Sequence, residues 1–216
     1  QWIFICVFIG FFSGSASTFF LVTLEWVSQF REQNNWIICL LPIGGLLIGL
    51  SYHYLGASIV KGNNLLLEEY ENPQKKIPFK MAPMVLIGTL ITHLFGGSAG
   101  REGTAVQMGG AIADQFTGIF KLDNKDRKTL IVLGISAGFA SVFGTPLAGA
   151  LFALELLYFS KINFKSIILS FLTAYIAYFT VEFWHVKHTH YNIPVVPEMN
   201  FSNLFWSILV SILFGL

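Results

Sequence analysis

Charge is what this sequence has least of. Lys, Arg, Asp and Glu make up 12% of its 216 residues, about half the roughly 25% usual in a soluble domain. Hydrophobic residues make up 54% and the mean hydropathy is +0.65, so water is a poor solvent for most of the surface. The net charge is only +1, which excludes the basic footprint of a nucleic-acid binder. No acidic tail is present either. Cysteine is scarce too. Cys6 and Cys39 both lie in apolar runs and read as small buried hydrophobes, which excludes a disulfide framework or a cysteine metal site. Residues 1–12 have no basic flank and no small-residue cleavage site, so they read as membrane helix rather than signal peptide. No repeat of 20–50 residues is visible.

What is present is a series of apolar segments of two kinds. Crossing ~30 Å of hydrocarbon takes about 20 helical residues. Residues 2–24, 36–54 and 164–184 are long enough, and Gly44, Gly45 and Gly49 flatten one side of the second. Residues 63–71 are too few to span. The run 81–95 stops at Gly96-Gly97-Ser98-Ala99-Gly100, and a helical pattern resumes over 104–120. After a charged loop (121–128), segments 129–144 and 146–159 form a second broken pair, interrupted at Gly144-Thr145-Pro146. A last apolar run covers 204–216. Interrupted segments are the best pointer to a transport site, because a half-helix ending inside the membrane aims free N–H groups at an anion.

Between Met81 and Ala113 the only charged side chains are Arg101 and Glu102, set in Gly100-Arg101-Glu102-Gly103-Thr104. An ionisable residue inside a membrane segment marks a functional site by default. A solvated loop pair is the plain alternative. Glycines let the backbone turn tightly and expose its N–H groups. The helix that follows offers unpaired N–H groups and a positive dipole end. A carboxylate or an anion can occupy that place, but not both, and this competition would couple anion movement to protons. The motif lacks the spacing of a nucleotide-binding loop, and no strand precedes it.

Three further groups stand out. In Lys61-Gly62-Asn63-Asn64, the asparagines are either helix caps or amide donors to an anion. The stretch from Gly138 to Glu155 is rich in small residues and reads mainly as close helix packing, with Glu155 at a possible water-facing mouth. His185, His188 and His190 lie in a polar loop with no metal-ligand spacing, so no metal or other cofactor is expected.

On these residues the chain resembles the CLC family of chloride channels and anion/proton antiporters. Gly100-Arg101-Glu102-Gly103 is similar to the family's gating-glutamate motif, and Val106-Gln107-Met108-Gly109 fits its continuation. The segment from Ala137 to Phe152 is similar to a packing segment of the same family. Lys61-Gly62-Asn63 falls where the family usually has Gly-Ser-Gly-Ile-Pro. Lys61 stands in place of the serine, Asn63-Asn64 replace the Ile-Pro pair, and Thr104 replaces a proline. Glu155 is followed by Leu156 rather than by a second glutamate. Together these departures look like the fluoride/proton antiporter branch.

The resemblance implies an all-α, polytopic membrane fold of tilted and broken helices, here the first of two inverted repeats. Residues 1–216 then form about the N-terminal half of a transporter, and this half alone should not transport. It also implies Glu102 as gate and proton-transfer residue, and an anion site drawn from Lys61, Gly62, Asn63, Asn64, Arg101, Gly103 and Thr104. Fluoride or chloride, protons, the lipid bilayer and a second copy of the full-length chain are the implied partners, and residues 167–179 are a candidate dimer face. The implied location is a bacterial inner or plasma membrane. Two readings from other classes stand beside this one. The first is an intramembrane enzyme using Glu102 and His93 as acid and base, although no nucleophile pairing is evident. The second is a purely structural membrane subunit.

Overall fold

The computed structural model describes residues 1–156, 164–186, 188 and 196–215, and among these every regular element is a helix. Helix α1 covers Trp2–Gln33. It runs nine residues past the expected end because Gln29, Arg31, Glu32 and Gln33 are good helix formers and no glycine or proline interrupts them. At 1.5 Å per residue it is about 48 Å long, more than the hydrocarbon layer. The Asn34 amide closes it by donating to the Phe30 carbonyl at 2.9 Å. The second span is divided. A 3-10 turn over Asn35–Leu40 leads into α2, Leu41–Tyr54, whose first turn holds Pro42, a residue suited to a helix start because it has no N–H to satisfy. Cys39 is exposed rather than buried, since Ile37 is the one buried residue of that turn.

The remaining helices are α3 (Asn63–Glu71), α4 (Met81–Leu94), α5 (Arg101–Ile119), α6 (Asn124–Phe143), α7 (Pro146–Leu156), α8 (Phe164–Phe183) and α9 (Phe201–Gly215). Helix α5 starts three residues earlier than expected, so Glu102 belongs to its first turn. Helix α6 starts five residues early because the Asp123 carboxylate accepts the Asp126 N–H at 2.7 Å and caps it. Both breaks are made by left-handed glycines. Gly96 (φ 78°) follows α4, and Gly144 (φ 69°) ends α6, with Thr145 alone between it and Pro146, which opens α7.

Helix α6 is the centre, buried along most of its length and surrounded by α1, α5, α7 and α8. Small residues let the axes approach. A Cβ on Gly109 of α5 would strike the Gly134 carbonyl of α6, and one on Gly149 of α7 would lie 2.7 Å from the Ala140 nitrogen. Gly10 and Gly14 of α1 meet Ile176, Ala177 and Thr180 of α8 in the same way. Ser141 of α6 donates to the Ser17 hydroxyl of α1 at 2.7 Å. Among the described residues, three segments are long and apolar enough to cross a membrane: Trp2–Gln33, Asn35–Tyr54 and Phe164–Phe183. Helix α2 buries only Gly44, and α9 buries none of its residues. Their apolar side chains face outward, as surfaces solvated by lipid do.

Candidate functional site

Helices α3 and α5 lie side by side with their N-termini together. Three contacts fix this arrangement. At the start, a Cβ on Gly103 would be 4.0 Å from the Asn63 Nδ2. In the middle, the Leu66 side chain occupies the place a Cβ on Gly110 would take. At the far end, Arg127 of α6 ties Glu69 to Asp114. On α5 the face turned to α3 is therefore Gly103, Gln107, Gly110 and Asp114, spaced i, i+4, i+7 and i+11 along one helical stripe. Two helices aligned this way add their positive dipole ends at one place.

Neither helix start has a side-chain cap. Gly62 precedes α3 with φ 57° and ψ −130°, a conformation in the left-handed half of the map, and Gly100 precedes α5. Asn63 is the first residue of α3 rather than its cap. Its Oδ1 is buried without a hydrogen-bond partner. Asn64 is exposed. The Glu102 side chain is exposed and folds back over the start of α5, with Oε2 2.6 Å from where a Cβ on Gly100 would be. It forms no hydrogen bond among the described residues.

The other expected site residues take different surroundings. The Thr104 hydroxyl, 2% exposed as a residue, shares a 2.7 Å hydrogen bond with Thr89 and so faces α4. Lys61 is exposed and pairs with Glu68 at 2.6 Å. Arg101 lines a cavity of about 780 Å³ together with Glu25, Glu32, Thr145 and His188. Glu155 is exposed in the last turn of α7. The His93 ring lies 3.1 Å from the Ala99 carbonyl, so it braces the turn before α5. His190 lies outside the described residues, and among those described no cluster could hold a metal ion.

One buried group escaped the sequence reading. Arg127 (5% exposed) donates from Nε and Nη2 to the two oxygens of Asp114 (0%) at 2.7 and 2.8 Å, and from Nη1 to Glu69 (8%) at 2.9 Å. Asp114 also accepts the Ile77 N–H at 2.6 Å, and Glu69 accepts the Gln74 and Lys75 N–H groups. The loop after α3, the far end of α5 and the start of α6 are thus one hydrogen-bonded unit. No local signal separates Arg127 from its neighbours Lys125 and Lys128.

The fold matches known proteins over almost the whole chain. A family model described as voltage gated chloride channel matches residues 44–216. The chain belongs to this family. A "Chloride/fluoride channel protein" of Pseudomonas syringae pv. tomato is 46% identical over 216 residues, covering all of this chain and 48% of that protein. An "H(+)/Cl(-) exchange transporter ClcA" of Vibrio campbellii is 25% identical over 99% of this chain and 49% of its own. The crystal structure of a CLC-type fluoride/proton antiporter superposes with a TM-score of 0.90 at 33% identity, over 99% of this chain and 54% of that one. The structure of a slow cyanobacterial Cl-/H+ antiporter, at 23% identity and a TM-score of 0.79, shares the fold. The chain spans about half the length of these relatives. As a member of the voltage-gated chloride channel family with segments of spanning length, it is an integral membrane protein with an all-α CLC-type fold.

Proposed function

We propose that this chain supplies one side of a proton-coupled anion pathway, with fluoride as the transported ion and Glu102 as its gate. The observation that carries the proposal is the meeting of two uncapped helix starts, α3 and α5, with the Asn63 Nδ2 beside Gly103 and Glu102 in the first turn of α5. Aligned N–H groups and dipole ends favour a negative charge there. A deprotonated Glu102 competes with the ion for that place, and protonation releases it. Fluoride is small and strongly hydrated, so removing its water calls for several good donors, and an asparagine amide brings two N–H groups without a fixed charge. The fluoride reading is supported by the fluoride/proton antiporter that superposes at a TM-score of 0.90, and the 46%-identical chloride/fluoride channel protein is compatible with it. We assign the protein to a bacterial inner membrane, as a homodimer with one pathway per subunit. Residues 1–216 would be the N-terminal half of each subunit.

The test is reconstitution of the protein encoded by the natural reading frame into liposomes loaded with fluoride or chloride. Fluoride efflux accompanied by proton uptake is expected. Glu102→Gln should stop turnover or free anion flux from pH, and a variant indistinguishable from the parent would remove the gate from the proposal. The 216-residue chain alone should be inactive. Chloride efflux equal to or above fluoride efflux would assign the chloride/proton reading, which the Vibrio campbellii relative favours.

A further inference from the structure

We infer that Gln107 is a specificity-determining ligand of this pathway, donating a side-chain N–H to the anion between the starts of α3 and α5. This rests on the anion reading above and extends it to a residue one turn deeper than the gate. On the stripe of α5 that faces α3, every other position is accounted for. Gly103 borders the Asn63 amide, Gly110 receives Leu66, and Asp114 is fully paired. Gln107 is the remaining polar side chain of the stripe, and it forms no hydrogen bond among the described residues.

Its amide is aimed at the junction of the two helix starts. Gln107 Nε2 lies 3.4 Å from where a Cβ on Gly62 would be and 3.7 Å from where one on Gly103 would be. Both neighbours lack that carbon, and Gly62 holds a backbone conformation that side-chain-bearing residues rarely adopt. The space beside the amide is therefore kept open by glycine on two sides. The Asn63 side-chain amide borders the same half-buried junction, its Nδ2 4.0 Å from where a Cβ on Gly103 would be.

A neutral amide suits a transported ion. It offers two N–H donors yet holds the ion less firmly than arginine or lysine would, and conduction requires that the ion leave. Hydrogen bonds to a charged acceptor strengthen with the acceptor's charge density, so a small anion gains more from each donor than a large one. Removing Gln107's donor should therefore penalise fluoride more than chloride.

The experiment uses the natural full-length protein in liposomes, with fluoride and chloride efflux read by ion-selective electrodes across a range of internal concentrations. Gln107→Leu keeps the size and removes the donor. It should raise the fluoride KM about tenfold to a hundredfold, leave kcat within about twofold, and lower the fluoride-to-chloride ratio. Gln107→Met is the second variant, carrying the same expectation should the leucine variant elute as aggregate. Gln107→Glu should block efflux of both ions at neutral pH, by placing a carboxylate at the junction. Equal losses for both ions through kcat alone would show a merely structural residue and overturn the inference, as would an unchanged ratio. A parent protein that carries neither ion overturns the anion reading itself, whereas a working parent with an unaffected Gln107→Leu variant overturns only the role of Gln107.

Discussion

Replacing Arg127 by Met should destabilise the chain strongly. The side chain makes four close hydrogen bonds: two to Asp114, one to Glu69 and one to the Lys75 carbonyl at 2.6 Å. Its loss leaves two carboxylates buried with no cation. Removing one partner of a buried charge network costs about 3–5 kcal/mol, most of it the penalty on the charges left behind. The N–H groups of Ile77, Gln74 and Lys75 still serve those carboxylates, which argues for the lower half of that range. The same reasoning predicts partial recovery in the triple variant Arg127→Met, Glu69→Gln, Asp114→Asn, where no charge remains. Lysine at 127 should recover little, because one ammonium cannot reproduce the two-pronged contact with Asp114. Denaturant titration in detergent micelles measures all three. A stability order of parent, then triple variant, then single variant is expected. A single variant within about 1 kcal/mol of the parent would refute the view that Arg127 neutralises this cluster.

Further outcomes follow from packing. Gly109→Val should separate α5 from α6 and yield little folded protein, since its Cβ would meet the Gly134 carbonyl. Gly45→Ala, with nothing within 4 Å, should be neutral or stabilise by up to about 1 kcal/mol. Expression level and thermal melting of the pair decide. Thr104→Val should cost about 1 kcal/mol for the lost Thr89 contact and leave anion efflux rates close to the parent's, because that hydroxyl faces α4. A flux loss of tenfold or more would return Thr104 to the ion path.

Much of this architecture was legible because membrane chemistry writes it locally. The bounds of α3 follow from Gly62, Asn63 and a polar end at Glu71, and both helix breaks follow from glycines that reach positive φ. Boundaries failed where charge was taken for loop. Gln29–Gln33 continue α1, and Asn124–Lys128 open α6 under the Asp123 cap, although both stretches read as solvent-exposed connections. The candidate site was partly legible. Asn63 and Glu102 could be named from their setting, since the chain places a turn and a helix start around each. Gln107 could not, because its meaning depends on Gly62, 45 positions earlier in the numbering, lying against it. The Arg127 cluster was invisible for the same reason, since its three members come from three separate helices. Lys61 and Thr104 were attractive by position, but their side chains are engaged by Glu68 and Thr89.

Because α3 is anchored at both ends against its neighbours, its length is a fixed quantity of the protein. Deleting one residue inside it would swing Asn63 by about 100° around the axis and draw it back by about 1.5 Å, enough to turn its amide away from Gly103. The turn at 55–61 is exposed except at Gly56 and Ile59, so one residue more or less at its exposed positions would be absorbed, as surface connections generally allow. Among natural homologues, length variation should therefore accumulate before Gly62 and stay out of the nine residues that follow it.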